Sequence, residues 1–130
     1  MAIATLLGSL TASAYDFEVD GIYYNIISDT ELTVGVTRNG SYSGAVIIPF
    51  TVAYNGIAYS VTSIEEEAFL SCVALKSIVI GNGVTSIGTA AFMECDSLKS
   101  IVIPNSVISI EDSAFSGCSS LTSIVIPESV

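Results

Sequence analysis

Histidine and tryptophan are absent from this 130-residue chain, and only 3 basic residues stand against 13 acidic ones. Without histidine the commonest general base and transition-metal ligand is missing, and no Ser-His or Cys-His nucleophile can be assembled. Three cations cannot form the basic cluster that a phosphate backbone requires, so a net charge of -10 excludes nucleic acid as a partner. An anionic membrane surface is disfavoured on the same ground. No glycine-rich phosphate loop appears either. Catalysis is therefore not expected, and neither a cofactor nor a metal is implied.

What the chain does have is aliphatic residues. Hydrophobic types make up 51% and charged types only 12%, and the mean hydropathy is +0.72. Either the chain enters a membrane or it packs aliphatic side chains very regularly. The stretch Ala2–Ala14 is apolar and then small or hydroxylic, and its 13 residues are too few for a span of ~20. It reads as the remnant of a secretory signal over residues 1–14, with Ala12-Ser13-Ala14 as the small-x-small cleavage pattern before Tyr15. The basic segment expected ahead of it is missing, since no Lys or Arg precedes Arg38. The alternative is an ordinary apolar N-terminal strand or helix. The mature chain is not expected to insert directly into a membrane.

Three tandem repeats account for the hydropathy. They are Val61–Gly83, Val84–Ser106 and Val107–Ser129, each of 23 residues. Neighbouring repeats share 14 of 23 positions, and 11 are common to all three: V-x-S-I-x3-A-F-x2-C-x2-L-x-S-I-V-I. Val130 reads as the start of a truncated fourth. In each repeat a segment such as Leu75–Ile80 follows the L-x-x-L-x-L strand pattern, with Leu75, Ile78 and Ile80 expected inward. Gly81-Asn82-Gly83, Pro104-Asn105 and Pro127-Glu128 turn the chain. Ser63-x-x-Glu66 and Ser109-x-x-Asp112 resemble capping boxes, which predicts a short helical turn carrying Phe69, Phe92 and Phe115 into the core. One such unit cannot close a core, but a stack can.

Residues 15–60 read as a β-rich N-terminal cap. Asp20-Gly21 and Asn55-Gly56 each signal a two-residue hairpin, and Glu31–Thr37 alternates as a third strand ending at Arg38-Asn39-Gly40. Val46-Ile47-Ile48-Pro49 matches Ile101-Val102-Ile103-Pro104, so a degenerate first repeat strand is expected at 45–49.

With Phe69, Cys72, Leu75, Ile80 and their equivalents in place, residues 15–130 resemble the BspA-type leucine-rich repeats of bacterial cell-surface proteins. Gly81 in place of proline, and Met93-Glu94 in place of small residues, depart from that pattern without disturbing the core. The resemblance implies a leucine-rich-repeat solenoid, secreted or surface-exposed in host-associated microbes. It implies adhesion to host matrix or plasma proteins or to other cells, and it brings no catalytic residues.

Candidate chemistry is weak against structural explanations. Cys72, Cys95 and Cys118 recur at the repeat period, which is no zinc pattern. Stacking would bring neighbours to ~5 Å, yet side chains emerging in parallel lack disulfide geometry, so a ladder of buried free thiols is favoured over a bridge. Glu65-Glu66-Glu67 and Glu111-Asp112 suit the opening of a helical turn better than calcium or glycosidase chemistry.

What remains is surface. The outward positions of the repeat strands form rows: Ile47, Val79, Val102 and Val125; Ser77, Ser100 and Ser123; Lys76, Lys99 and Thr122. This face is the candidate protein-binding surface, because solenoid sheets are extended and contiguous apolar area tends to mark interaction sites. Equally, β-branched residues simply suit strands. The six tyrosines of the N-terminal region offer another patch. The expected function is a non-enzymatic binding module for an extracellular protein or cell-surface ligand. The alternatives are a structural spacer in a longer surface protein, or an accessory domain of a secreted enzyme. An uncapped last repeat would also favour edge-to-edge self-association.

Overall fold

The computed structural model describes residues 15–39 and 41–130. The leader reading at 1–14, and Gly40 of the Arg38-Asn39-Gly40 turn, lie outside the described residues.

Strands β1 (Phe17–Val19) and β2 (Ile22–Ser28) pair antiparallel, with Val19 opposite Ile22. Between them Asp20 and Gly21 have φ of 52° and 84°. Two consecutive left-handed residues make a type I′ turn, the connection whose twist matches the strands. Strand β3 (Thr33–Val36) starts later than the alternation over Glu31–Thr37 predicts. Leu32 is in the left-handed region (φ 57°) and exposed, so it belongs to the preceding turn. Strand β4 (Gly44–Ile47) follows, then β5 (Thr51–Tyr54) and β6 (Ile57–Ile64), which close a second hairpin at Asn55-Gly56 (φ 53° and 76°).

The repeats add β7 (Leu75–Val79), β8 (Ser86–Ile87), β9 (Ser100–Val102) and β10 (Ser109–Ile110). Two sheets result. One runs β1-β2-β3-β6-β8-β10 with β5 also on β6, and the other runs β4-β7-β9. Ser63, Ser86 and Ser109 are in register in the first, and Ser77 and Ser100 in the second. Each turn of the chain thus feeds both sheets, and the core lies between them.

The predicted helical turn does not form; no helix occurs among the described residues. The segment after each Ser-Ile strand instead alternates two kinds of hydrogen bond. The amides of Ala68, Leu70 and Cys72 donate to the carbonyls three residues back, at 3.1 Å each. The intervening amides of Glu67, Phe69 and Ser71 donate across to Thr89, Ala91 and Met93 of the next repeat at 2.7–2.9 Å. A helix would spend every amide within itself; here every second one ties neighbouring repeats together. The alternation is set by left-handed residues at two equivalent places, Glu67, Ala90 and Ser113 (φ 57°, 54° and 59°) and Ser71, Glu94 and Gly117 (φ 56°, 60° and 76°). The capping-box pattern is present, but stacking wins because bonds to the neighbour satisfy the same orphan amides.

Equivalent apolar positions stack into columns. Phe69, Phe92 and Phe115 lie face to face, with centroids 4.9 and 5.3 Å apart and planes within 10° and 2° of parallel. Val61, Val84 and Val107 are fully buried, as are Leu75 and Leu98. Tyr42 extends the phenylalanine column toward the N terminus, its ring 4.4 Å from Phe69. Its hydroxyl donates to the Thr37 carbonyl at 2.7 Å and accepts the Tyr23 amide at 3.1 Å, which satisfies a phenol placed in the core.

Candidate functional site

The β4-β7-β9 sheet carries the predicted surface rows. Its parallel register places Ile47 beside Val79 and Val79 beside Val102. All three side chains point away from the core, with 68%, 43% and 57% of their area exposed, while Ile78 behind them is buried. Strand period two explains the contrast, since successive side chains leave opposite faces. Ser77 is half-buried and Ser100 exposed, in line with Ala45 on β4. Ala45 is the position that reading the rows from the repeats alone misses. Aligning Val46–Pro49 with Ile101–Pro104 already carries it to Ser100.

Lys76 and Lys99 are both exposed; Lys99 lies one residue before β9, and its amide donates to the Lys76 carbonyl at 2.9 Å. The third basic residue, Arg38, is elsewhere and pairs with Glu67 at 3.2 Å. Two of the three cations of a -10 chain therefore flank one aliphatic row. Thr122, Ser123 and Val125 are exposed as well, Val125 to 81%. However, Leu121–Ile126 forms no strand on β9, so the sheet does not continue through them as the repeat predicts. The tyrosines do not make a surface patch: Tyr24, Tyr42 and Tyr59 are core residues, and Tyr54 stacks on Phe17 at 4.2 Å.

The other candidate groups have structural roles. Cys72, Cys95 and Cys118 are free and buried. The Cys95 thiol donates to the Phe69 carbonyl of the preceding repeat and Cys118 to that of Phe92. Burial pushes the Cys72 thiol up. The neighbouring Cys118 thiol and then burial push Cys95 up, and the Cys95 thiol beside it brings Cys118 down. Of the acidic run, Glu65 accepts from the Asn25 amide at 3.0 Å and Glu67 meets Arg38. These carboxylates fasten the first repeat to the N-terminal strands. No group of three metal-ligating side chains occurs among the described residues.

Two parallel ladders of stacked short repeats, β6-β8-β10 and β4-β7-β9, with aliphatic and phenylalanine columns between them, define a leucine-rich-repeat solenoid. The chain belongs to the family described as the BspA-type leucine-rich repeat region (6 copies), which matches residues 53–130. A leucine-rich repeat protein from Bacteroides ovatus is similar at 38% identity and a TM-score of 0.79, over 89% of this chain and 30% of that one. One from Bacteroides capillosus is 33% identical with a TM-score of 0.76, over 88% and 83%. A leucine rich cell surface protein from Faecalibacterium prausnitzii is 28% identical with a TM-score of 0.71, over 88% and 31%. The chain thus spans about a third of the length of the Bacteroides ovatus and Faecalibacterium prausnitzii proteins. No functionally curated protein matches it. No catalytic family is among the matches, and no helix of the described residues is long and apolar enough to cross a membrane.

Proposed function

We propose that the chain is a non-enzymatic adhesion module, secreted or held at the cell surface, that binds an extracellular protein through the outer face of β4-β7-β9. The observation that carries the reading is the exposed Ile47-Val79-Val102 row, in register across three strands and flanked by Lys76 and Lys99. A flat aliphatic ridge costs free energy in water and is stabilised by contact with a complementary apolar surface. The lysines select for a partner with acidic residues beside that surface and speed its approach. A repeat protein and a cell-surface protein among the relatives support the interaction class and the location. In this reading the hairpins of residues 15–60 cover the first repeat, as terminal units of solenoids must.

The test is binding of the full chain to immobilised extracellular-matrix and plasma proteins, by surface plasmon resonance at two salt concentrations. Saturable binding that weakens with salt is expected. Absence of binding across the panel would favour a spacer that projects another domain. Sedimentation in the same buffer separates either outcome from edge-to-edge association of the chain with itself.

A further inference from the structure

We propose a second binding site that goes beyond this reading: the free edge of β4 accepts an extended peptide carrying a basic residue, as one more strand of the β4-β7-β9 sheet. The partner of β4 among the described residues is β7 alone. The amides of Gly44 and Ile48, at either end, donate toward that side, to Ala74 and Val79 at 2.8 and 2.9 Å. Backbone direction alternates along a strand, so the N–H and C=O of Ala45 and Ile47 face the opposite way. Both residues are exposed there.

That edge opens into a cleft of about 570 Å³, whose far wall includes the Asp20-Gly21 turn, Tyr24 and Val52. Gly44–Ile47 contains neither the charge nor the proline that often blunts an open edge, while its four-residue length and the bulge at Gly44/Ala45 confine pairing to Ala45–Ile47. Unpaired backbone donors and acceptors in a row are matched by the backbone of an extended peptide, the recognition mode of strand addition. Asp20 is the one charged side chain among the described residues lining the cleft, and the chain carries -10 overall. An acidic peptide is repelled; a Lys or Arg at the centre of the added strand meets Asp20. The exposed Ile47 side chain beside the edge seats an apolar neighbour.

The experiment titrates the full, isotope-labelled chain with an acetylated and amidated Thr-Val-Lys-Val-Thr pentapeptide, followed by NMR. Saturable shifts at β4 are expected, with exchange of the Ala45 and Ile47 amides slowed at least tenfold. The same peptide methylated at every backbone nitrogen should not bind. Ile47→Pro removes the outward N–H, in a setting where proline is tolerated on an edge, and should lose binding, whereas Ile47→Val should keep it. If Ile47→Pro fails to fold, Asp20→Asn, which removes the charge and keeps a side chain suited to the left-handed turn, should weaken binding at least tenfold. Equal binding of the methylated peptide, no saturation at millimolar peptide, or a chain already paired edge to edge with a second copy would overturn the proposal. Val102→Glu, which tests the sheet face, should leave the pentapeptide unaffected, so the two sites fail separately.

Discussion

The Sγ atom of Cys95 donates to the carbonyl oxygen of Phe69, one repeat back, at 3.1 Å, and Cys118 repeats the contact with Phe92 at 3.0 Å. Cysteine fits this place because it is small and apolar yet keeps a weak donor to offer a buried carbonyl. The same Phe69 oxygen also accepts the Cys72 amide at 3.1 Å. Cys95→Ala should therefore lower stability moderately, by about 1–2 kcal/mol, through lost contacts and one weak bond. Denaturant midpoints of the two proteins measure it. A change above about 4 kcal/mol would mean the thiol holds more of the stack than this geometry allows.

The thiols should differ in reactivity. Cys72 and Cys95 are held protonated and more deeply buried, whereas Cys118 is the most exposed of the three at 9%. Thiolate, not thiol, is the nucleophile. Iodoacetamide at pH 8 should label native protein at Cys118 first, because it is the most accessible of the three. Denatured, unreduced protein should show three free thiols. Earlier labelling of Cys72, or a single free thiol, would contradict the buried ladder.

Gly117 holds the left-handed position that Ser71 and Glu94 occupy in the first two repeats, at φ 76°. A Cβ there would lie 3.2 Å from Glu94 Cγ. Gly117→Val adds a β-branched side chain where only glycine is at ease, and should cost about 1–3 kcal/mol. Glu94→Gly should be close to neutral, since relief of strain offsets the added freedom of the unfolded chain. Thermal melts of both variants decide it, and equal losses would show that the left-handed turn is not what matters.

Alkaline pH should loosen the fold through its buried phenols. Burial, and then the Asp20 charge, raise Tyr24 to about 12, and burial raises Tyr42 as well. The folded state keeps a proton that the unfolded chain releases near pH 10. Stability from Tyr24 is thus fully present below pH 10 and declines as the pH rises through 12, by up to about 2–3 kcal/mol. Tyr24→Phe should flatten that decline in melts recorded from pH 8 to 12. An unchanged slope would place the titration elsewhere.

Much of the architecture is legible in residues alone, and the reasons are specific. A 23-residue period with fixed large apolar positions leaves few options except a stack, and Asx-Gly between alternating segments demands a left-handed turn. The Ile47-Val79-Val102 row follows from aligning one proline-terminated strand with the others. What misled was local: Ser-x-x-Glu ahead of Ala-Phe carries a real capping preference, but the competing amide partners lie one repeat away and have no signature within the repeat. Tyr42 was equally hidden, because only the three-dimensional stack reveals that an isolated tyrosine continues the phenylalanine column. The free edge of β4 is invisible in sequence for the same reason, since pairing on one side only is a property of the assembled sheet.

A binding face formed by the exposed aliphatic row must lose affinity when a charge is placed in that row. The most direct test is the affinity of Val102→Glu for the extracellular-matrix or plasma protein that the wild-type chain binds. Val102 is 57% exposed, so the charge costs the fold little. An affinity loss of at least tenfold with an unchanged melting temperature is expected, from burying one unpaired charge in the interface. Wild-type affinity in a folded Val102→Glu protein would contradict it.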